Sequence, residues 1–271
     1  MRKTSDHSLV YLFEDNSGLE ERLEGKTLPV IEKTRVTIDN AGFSAEAQVK
    51  ILKPPHMEAG VQYPVIVYIY GGPGYQQVTD SWSVGWGEYL ATSRNVVYVL
   101  MDTRGTGGQS NEFMFSVYKR LGTVEMEDEI SVTRQLVRDN NYMDPERVAI
   151  WGWSYGGFNT AMTLELDTGD EQVFKCGISV APVSSWLLYD SIYTERYMAL
   201  PQDNHEGYNH SLITGIENLK NKLWMLNHGV ADDNVHYQHS MLLTKELEEH
   251  DVQFVQHSYP DENHGLRGVS R

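Results

Sequence analysis

Ser154 lies in Trp151-Gly152-Trp153-Ser154-Tyr155-Gly156-Gly157, a G-x-S-x-G pattern between the β-branched run Val148-Ala149-Ile150 and a segment with helical potential, Phe158 to Leu164. That context fits a nucleophile elbow, a strained strand-to-helix turn that lifts a serine hydroxyl clear of the backbone. Its glycines let strand and helix pass closely. A serine hydroxyl is a weak nucleophile at neutral pH and needs a general base, usually a histidine held in the right tautomer by a carboxylate. In nucleophile-elbow folds these partners follow in the order Ser, Asp or Glu, His. Two late loops carry the candidates: Gly229 to His236 holds Asp232 and Asp233, and Pro260 to Gly265 holds His264. His264 follows a strand by a few residues and precedes a glycine. By contrast, His228 ends a strand as a core histidine, and His236 and His239 open a helix as surface groups. The residues alone leave Asp232 and Asp233 level. Acyl transfer also needs donors where negative charge develops. The backbone N–H of Tyr155 is the expected first donor, and the loop after Val65 to Tyr70 supplies the second, from Gly71-Gly72 or from the Tyr70 phenol.

The elements that must position these groups alternate along the chain. Val30 to Asp39 and Phe43 to Leu52 interleave β-branched with charged residues, as half-buried strands at a sheet edge do. Val65 to Tyr70 and Asn95 to Met101 are continuous apolar runs, which suit parallel strands covered on both faces. Val124 to Val137 reads as an amphipathic helix, with Met126, Ile130 and Leu136 interleaved with Glu125, Glu127, Asp128 and Arg138. Val173 to Val180, Lys222 to His228 and Val252 to Tyr259 follow as strands, with a helix over about His236 to Glu249. Leu9 to Phe13 reads as a further short strand. This alternation predicts a mostly parallel, doubly wound α/β sheet whose site lies at the carboxyl ends of the strands.

Composition narrows the function further. The 271 residues, 40% hydrophobic and 22% charged, suit one large α/β domain. A net charge of -16 argues against nucleic acid or anionic membrane as partner. No apolar run approaches the roughly 20 residues of a membrane span, and Met1 to His7 leads into no signal-peptide core. Cys176 is the single cysteine, so no intrachain disulfide forms, and its surroundings suggest a thiol buried in a strand. Asn209-His210-Ser211 matches a glycosylation sequon, a pattern short enough to arise by chance. The chemistry calls for no metal and no cofactor.

The segments Trp151 to Gly157, Ala181 to Trp186, Tyr189 to Met198 and Ala231 to His236, in this order, resemble the catalytic domain of the prolyl oligopeptidase family of serine peptidases, in its dipeptidyl-peptidase branch. The resemblance runs along nearly the whole chain. It implies an α/β-hydrolase fold, with Ser154 as nucleophile, Asp232 rather than Asp233 as orienting carboxylate, and His264 as base. It further implies that the Tyr70 hydroxyl completes the oxyanion hole with the Tyr155 N–H. Asn234 would hold a substrate carbonyl, and Tyr155, Val183, Trp186, Tyr189, Tyr193 and Val235 would form an aromatic S1 pocket for a proline ring. The implied substrate is a peptide with proline, or less well alanine, before the cleaved bond. In the full family architecture the implied product is an Xaa-Pro dipeptide, the assembly a homodimer, and the location the cell surface or the exterior.

Residues 1–28 resemble the final stretch of the family's N-terminal β-propeller, and 29–271 its peptidase domain, expected to be C-terminally truncated and to lack a helix that carries the partner of Cys176. Two other readings remain open on the residues. One is an esterase or lipase of the same fold, against which the aromatic cluster counts. The other is an inactive interaction module or fragment that keeps the triad letters.

Overall fold

In the computed structural model, residues 2–40 and 43–268 are described, and Met1 and residues 269–271 at the ends of the two expected segments lie outside them. Among the described residues eight strands form one sheet in the order β1-β2-β4-β3-β5-β6-β7-β8. β1 (Val30–Asn40) and β2 (Phe43–Lys53) pair antiparallel, with Val36 opposite Ala47. β2 also runs antiparallel to β4 (Val97–Asp102). From there β3 (Tyr63–Ile69), β5 (Met143–Trp153), β6 (Cys176–Val180), β7 (Leu223–Gly229) and β8 (Val255–Tyr259) extend the sheet in parallel. An antiparallel edge on a parallel sheet with helical crossovers is the α/β-hydrolase arrangement expected from the sequence. Leu9 to Phe13 is no strand: Leu9 makes one isolated bridge to Arg2, and the run is exposed. Among the described residues no strand of the sheet runs beside it.

Helix α1 (Ser17–Leu23) precedes the sheet, and the helices between its strands are α2 (Trp86–Ser93), α3 (Asn111–Phe115), α4 (Val124–Asp139), α5 (Tyr155–Leu166), α6 (Ser191–Met198), α7 (His205–His210) and α8 (Gln238–Glu249). Among the described residues no helix is long and apolar enough to cross a membrane. Strand β3 buries Tyr63, Val65, Val67 and Ile69 on one face and leaves Ile66 and Tyr68 half-buried on the other. Its apolar run is therefore fully covered on one side only. On the covered side, α5 buries every residue but Leu166, because it is wedged between the sheet and α4.

Helix α4 departs from a simple amphipathic pattern. Glu125, Asp128 and Glu129 are fully buried, on the face that packs toward α5 and the loop after β4. Each has a partner. Asp128 holds Arg104 through a bidentate pair at 2.7 and 2.5 Å, and Glu129 accepts from Asn159 and Thr163 of α5. Glu125 accepts from the N–H groups of Gly122 and Thr123 and from the Tyr155 hydroxyl. Burial pushes the Glu125 and Glu129 carboxyls up, and these hydrogen bonds only partly offset it.

Candidate active site

Strand β5 ends in Trp153, and helix α5 starts at Tyr155, so Ser154 must make the whole turn between them. It adopts φ 61° and ψ −118°, a left-handed conformation that costs a non-glycine residue on the order of 1–3 kcal/mol. The turn is possible because its glycines carry no side chain. A Cβ on Gly152 would lie 2.3 Å from the Gly156 carbonyl oxygen, and one on Gly156 would lie 2.3 Å from that of Ile69. The Ser154 N–H donates to Val180 O at 2.8 Å, which ties the elbow to β6. Its side chain stays half-exposed, as a nucleophile requires.

The loops after β7 and β8 meet at this turn. His264 Nδ1 lies 2.7 Å from Asp232 Oδ2, and the Trp153 indole N–H donates to the His264 carbonyl at 2.9 Å. The second contact fixes the histidine loop to the residue that precedes Ser154. Asp232 is buried whereas Asp233 is exposed, so of the two only Asp232 is turned inward. Its Oδ1 accepts the N–H groups of Asn234 and Val235, both at 3.0 Å. Burial by itself would raise the Asp232 carboxyl. Hydrogen bonds from His228, His264 and the Asn234 N–H more than offset it and hold the group well below the usual carboxylate range.

Tyr155 opens α5, so its N–H is among those that helix geometry leaves without an intrahelical acceptor. Its buried ring is anchored through its hydroxyl to Glu125 at 3.0 Å. The half-buried Tyr70 lies 6.1 Å from it, ring centre to ring centre. Gly72 lets the Tyr70 ring take this position, since a Cβ there would come within 2.5 Å of it.

From Tyr155 the aromatic rings continue outward. Trp186 packs at 5.6 Å from Tyr155 and stacks with Tyr193 at 5.8 Å, 14° from parallel, while Tyr189 meets both Trp186 and Tyr193 edge-on. Trp186, Val183 and Val235 are buried and form the back of this cluster, whereas Tyr189 and Tyr193 keep open surface. The Tyr189 hydroxyl donates to Asn234 Oδ1 at 2.9 Å, which leaves the amide N–H groups of this exposed asparagine free to donate.

Three groups near the site differ from their reading in the sequence or escaped it. His239 is not a surface group: it is fully buried, and its Nδ1 accepts the Ser184 N–H at 3.1 Å, next to Val183. His228 is a core histidine, as expected, but its Nε2 lies 3.2 Å from Asp232 Oδ2. Glu125 was placed on the polar side of its helix, yet it anchors Tyr155. Helical spacing carried a signal for two of these. Glu125, Asp128 and Glu129 fall on one face, and His239 shares a stripe with Leu243 and Leu247.

The chain is similar to known proteins in sequence and in fold. The model of the prolyl oligopeptidase family matches residues 82–271. Venom dipeptidyl peptidase 4 of Vespula vulgaris is 44% identical over 97% of this chain, and prolyl endopeptidase FAP of Homo sapiens is 40% identical over 96%. The crystal structure of Porphyromonas gingivalis dipeptidyl peptidase 4 superposes with a TM-score of 0.87 at 38% identity over 95% of this chain. The chain spans about one third of each: 34%, 34% and 35% of their lengths.

Proposed function

This chain belongs to the prolyl oligopeptidase family, and from that premise we propose that it is a serine peptidase domain that hydrolyses peptide bonds after proline through an acyl-enzyme on Ser154. The observation that carries the proposal is the Asp232–His264 pair, docked through Trp153 against the strained elbow at Ser154. His264 removes the Ser154 proton as Oγ bonds to the substrate carbonyl carbon. Asp232 stabilises the imidazolium, and the proton then passes to the leaving amine as the C–N bond breaks. Water repeats the sequence on the ester and releases the acid. The carbonyl oxygen, negative in the tetrahedral intermediate, is held by the Tyr155 N–H and the Tyr70 hydroxyl.

Val183, Trp186, Tyr189, Tyr193 and Val235 form the S1 pocket. Two nearly parallel rings, Trp186 and Tyr193, suit a flat pyrrolidine, and an alanine side chain fills the same space less fully. The Asn234 amide donates to a substrate carbonyl. In a longer protein of the relatives' architecture the product is an Xaa-Pro dipeptide, the assembly a homodimer, and the location the cell surface or the exterior, in keeping with the venom relatives. The test is fluorophosphonate labelling read by intact mass and peptide mapping. One adduct on Ser154, lost in Ser154→Ala, is expected; a folded chain that takes no adduct refutes the proposal.

A further inference from the structure

The Asp232 carboxylate has a second histidine on it. We infer that His228, through its Nε2–H, is a positioning residue that holds the orienting carboxylate of the triad in register with His264. The inference rests on the triad reading above. His228 Nε2 faces two acceptors, the Val235 carbonyl at 2.8 Å and Asp232 Oδ2 at 3.2 Å, so this nitrogen carries a proton. The opposite nitrogen, Nδ1, lies 2.6 Å from the Ser240 hydroxyl, which fixes the ring from α8. Both side chains, His228 and Asp232, are sealed from solvent. The ring also meets Tyr237 edge-on at 5.5 Å, so it has little room to rotate.

The consequence follows from counting donors on the carboxylate. Oδ1 takes the N–H groups of Asn234 and Val235, and Oδ2 takes His264 and, as a longer contact, the His228 Nε2–H that it shares with the Val235 carbonyl. Four donors from fixed positions define the plane of the carboxylate as well as its place. Without His228, Oδ2 keeps a single side-chain partner, and the carboxylate can tilt about its two backbone bonds. His264 would then lose its alignment toward Ser154, and a displacement of about 1 Å at reacting atoms can cost on the order of 100-fold in rate. A buried histidine that merely filled space would need no acceptor on this carboxylate. Strand β7 delivers His228 four residues before Asp232, so the same short segment carries both the carboxylate and its support.

The test uses the 271-residue chain and a fluorophosphonate probe, measuring the maximal rate of Ser154 modification and the half-saturating probe concentration separately. His228→Leu keeps the bulk and removes the donor. It is expected to lower the maximal rate about 10- to 100-fold, the size of one hydrogen bond to a charged group. The half-saturating concentration should stay within about twofold, because no probe contact is lost. His228→Gln, whose amide nitrogen can occupy the place of Nε2, is expected to recover most of the rate. A folded His228→Leu chain modified at the wild-type rate overturns the proposal and leaves the triad reading intact, as does a Gln variant no faster than Leu. If the Leu variant fails to fold, Ser240→Ala decides: the ring stays, its anchor on Nδ1 is lost, and an unchanged maximal rate overturns the proposal. A wild-type chain that takes no probe overturns both the triad reading and this one.

Discussion

Lowering the pH from 7.5 to 4 is expected to destabilise the chain through one buried imidazole, His239. The ring is fully buried, and its Nδ1 accepts the Ser184 N–H at 3.1 Å. A proton on Nδ1 would therefore face another donor. Burial pulls the His239 imidazole down from about 6.5 to about 4; the neighbouring His228 and His236 add to this, and the Leu188 carbonyl and Asp232 oppose it. The folded value lies below the unfolded one. The stabilisation is thus present in full above about pH 6.5 and is lost as the pH falls toward about 4, by which point the loss amounts to about 3 kcal/mol. The assay is urea unfolding of wild type and His239→Gln at pH 7.5, 6, 5 and 4. Carboxylates that titrate in both chains cancel in the difference. Wild type should lose stability relative to the variant by about 3 kcal/mol across this range, with most of the change below pH 6. A difference that stays constant with pH would refute the reasoning.

Three further outcomes are expected. Glu125→Ala strips acceptors from the Gly122 and Thr123 N–H groups and the Tyr155 hydroxyl at once, and should cost about 3 kcal/mol or more in urea unfolding while slowing modification of Ser154. Gly156→Ala puts a methyl 2.3 Å from the Ile69 carbonyl oxygen in a turn that cannot widen; a loss above about 4 kcal/mol is expected, and a wild-type unfolding midpoint would contradict it. Tyr193→Ala removes the ring stacked on Trp186 and should reduce turnover of a proline anilide far more than that of a small activated ester. Equal losses on both would point to general damage.

The elbow was legible because its constraints are local: a β-branched strand, glycines at fixed offsets and a helix start all fall within about ten residues. The mostly parallel, doubly wound character of the sheet was legible for a similar reason, since each strand and each helix leaves its own periodicity, whereas the order of the strands was not. Asp232 and Asp233 could not be told apart from local pattern. Both lie in one short loop, and which of them turns inward depends on the loop after β8, some 30 residues later in the chain. Leu9 to Phe13 has the composition of a strand, but a strand exists only where a partner accepts its hydrogen bonds. The buried carboxylates of α4 were misread because acidic residues are seldom buried without partners, and their partners Arg104, Tyr155, Asn159 and Thr163 lie on other elements.

The opening of α8 joins the aromatic pocket to the orienting carboxylate. His239 and Ser240 are consecutive. The first accepts the backbone of Ser184, in the segment that carries Val183 and Trp186, and the second fixes His228 beneath Asp232. One helical turn therefore braces the aromatic pocket through one residue and the orienting carboxylate through the next. Neighbouring positions on a helix project about 100° apart, so a single turn can reach both walls of a cleft that strands β6 and β7 hold side by side. Residues 183 to 186 and 228 to 235, distant in sequence, thus share one rigid support, and whatever shifts that turn shifts pocket and carboxylate together.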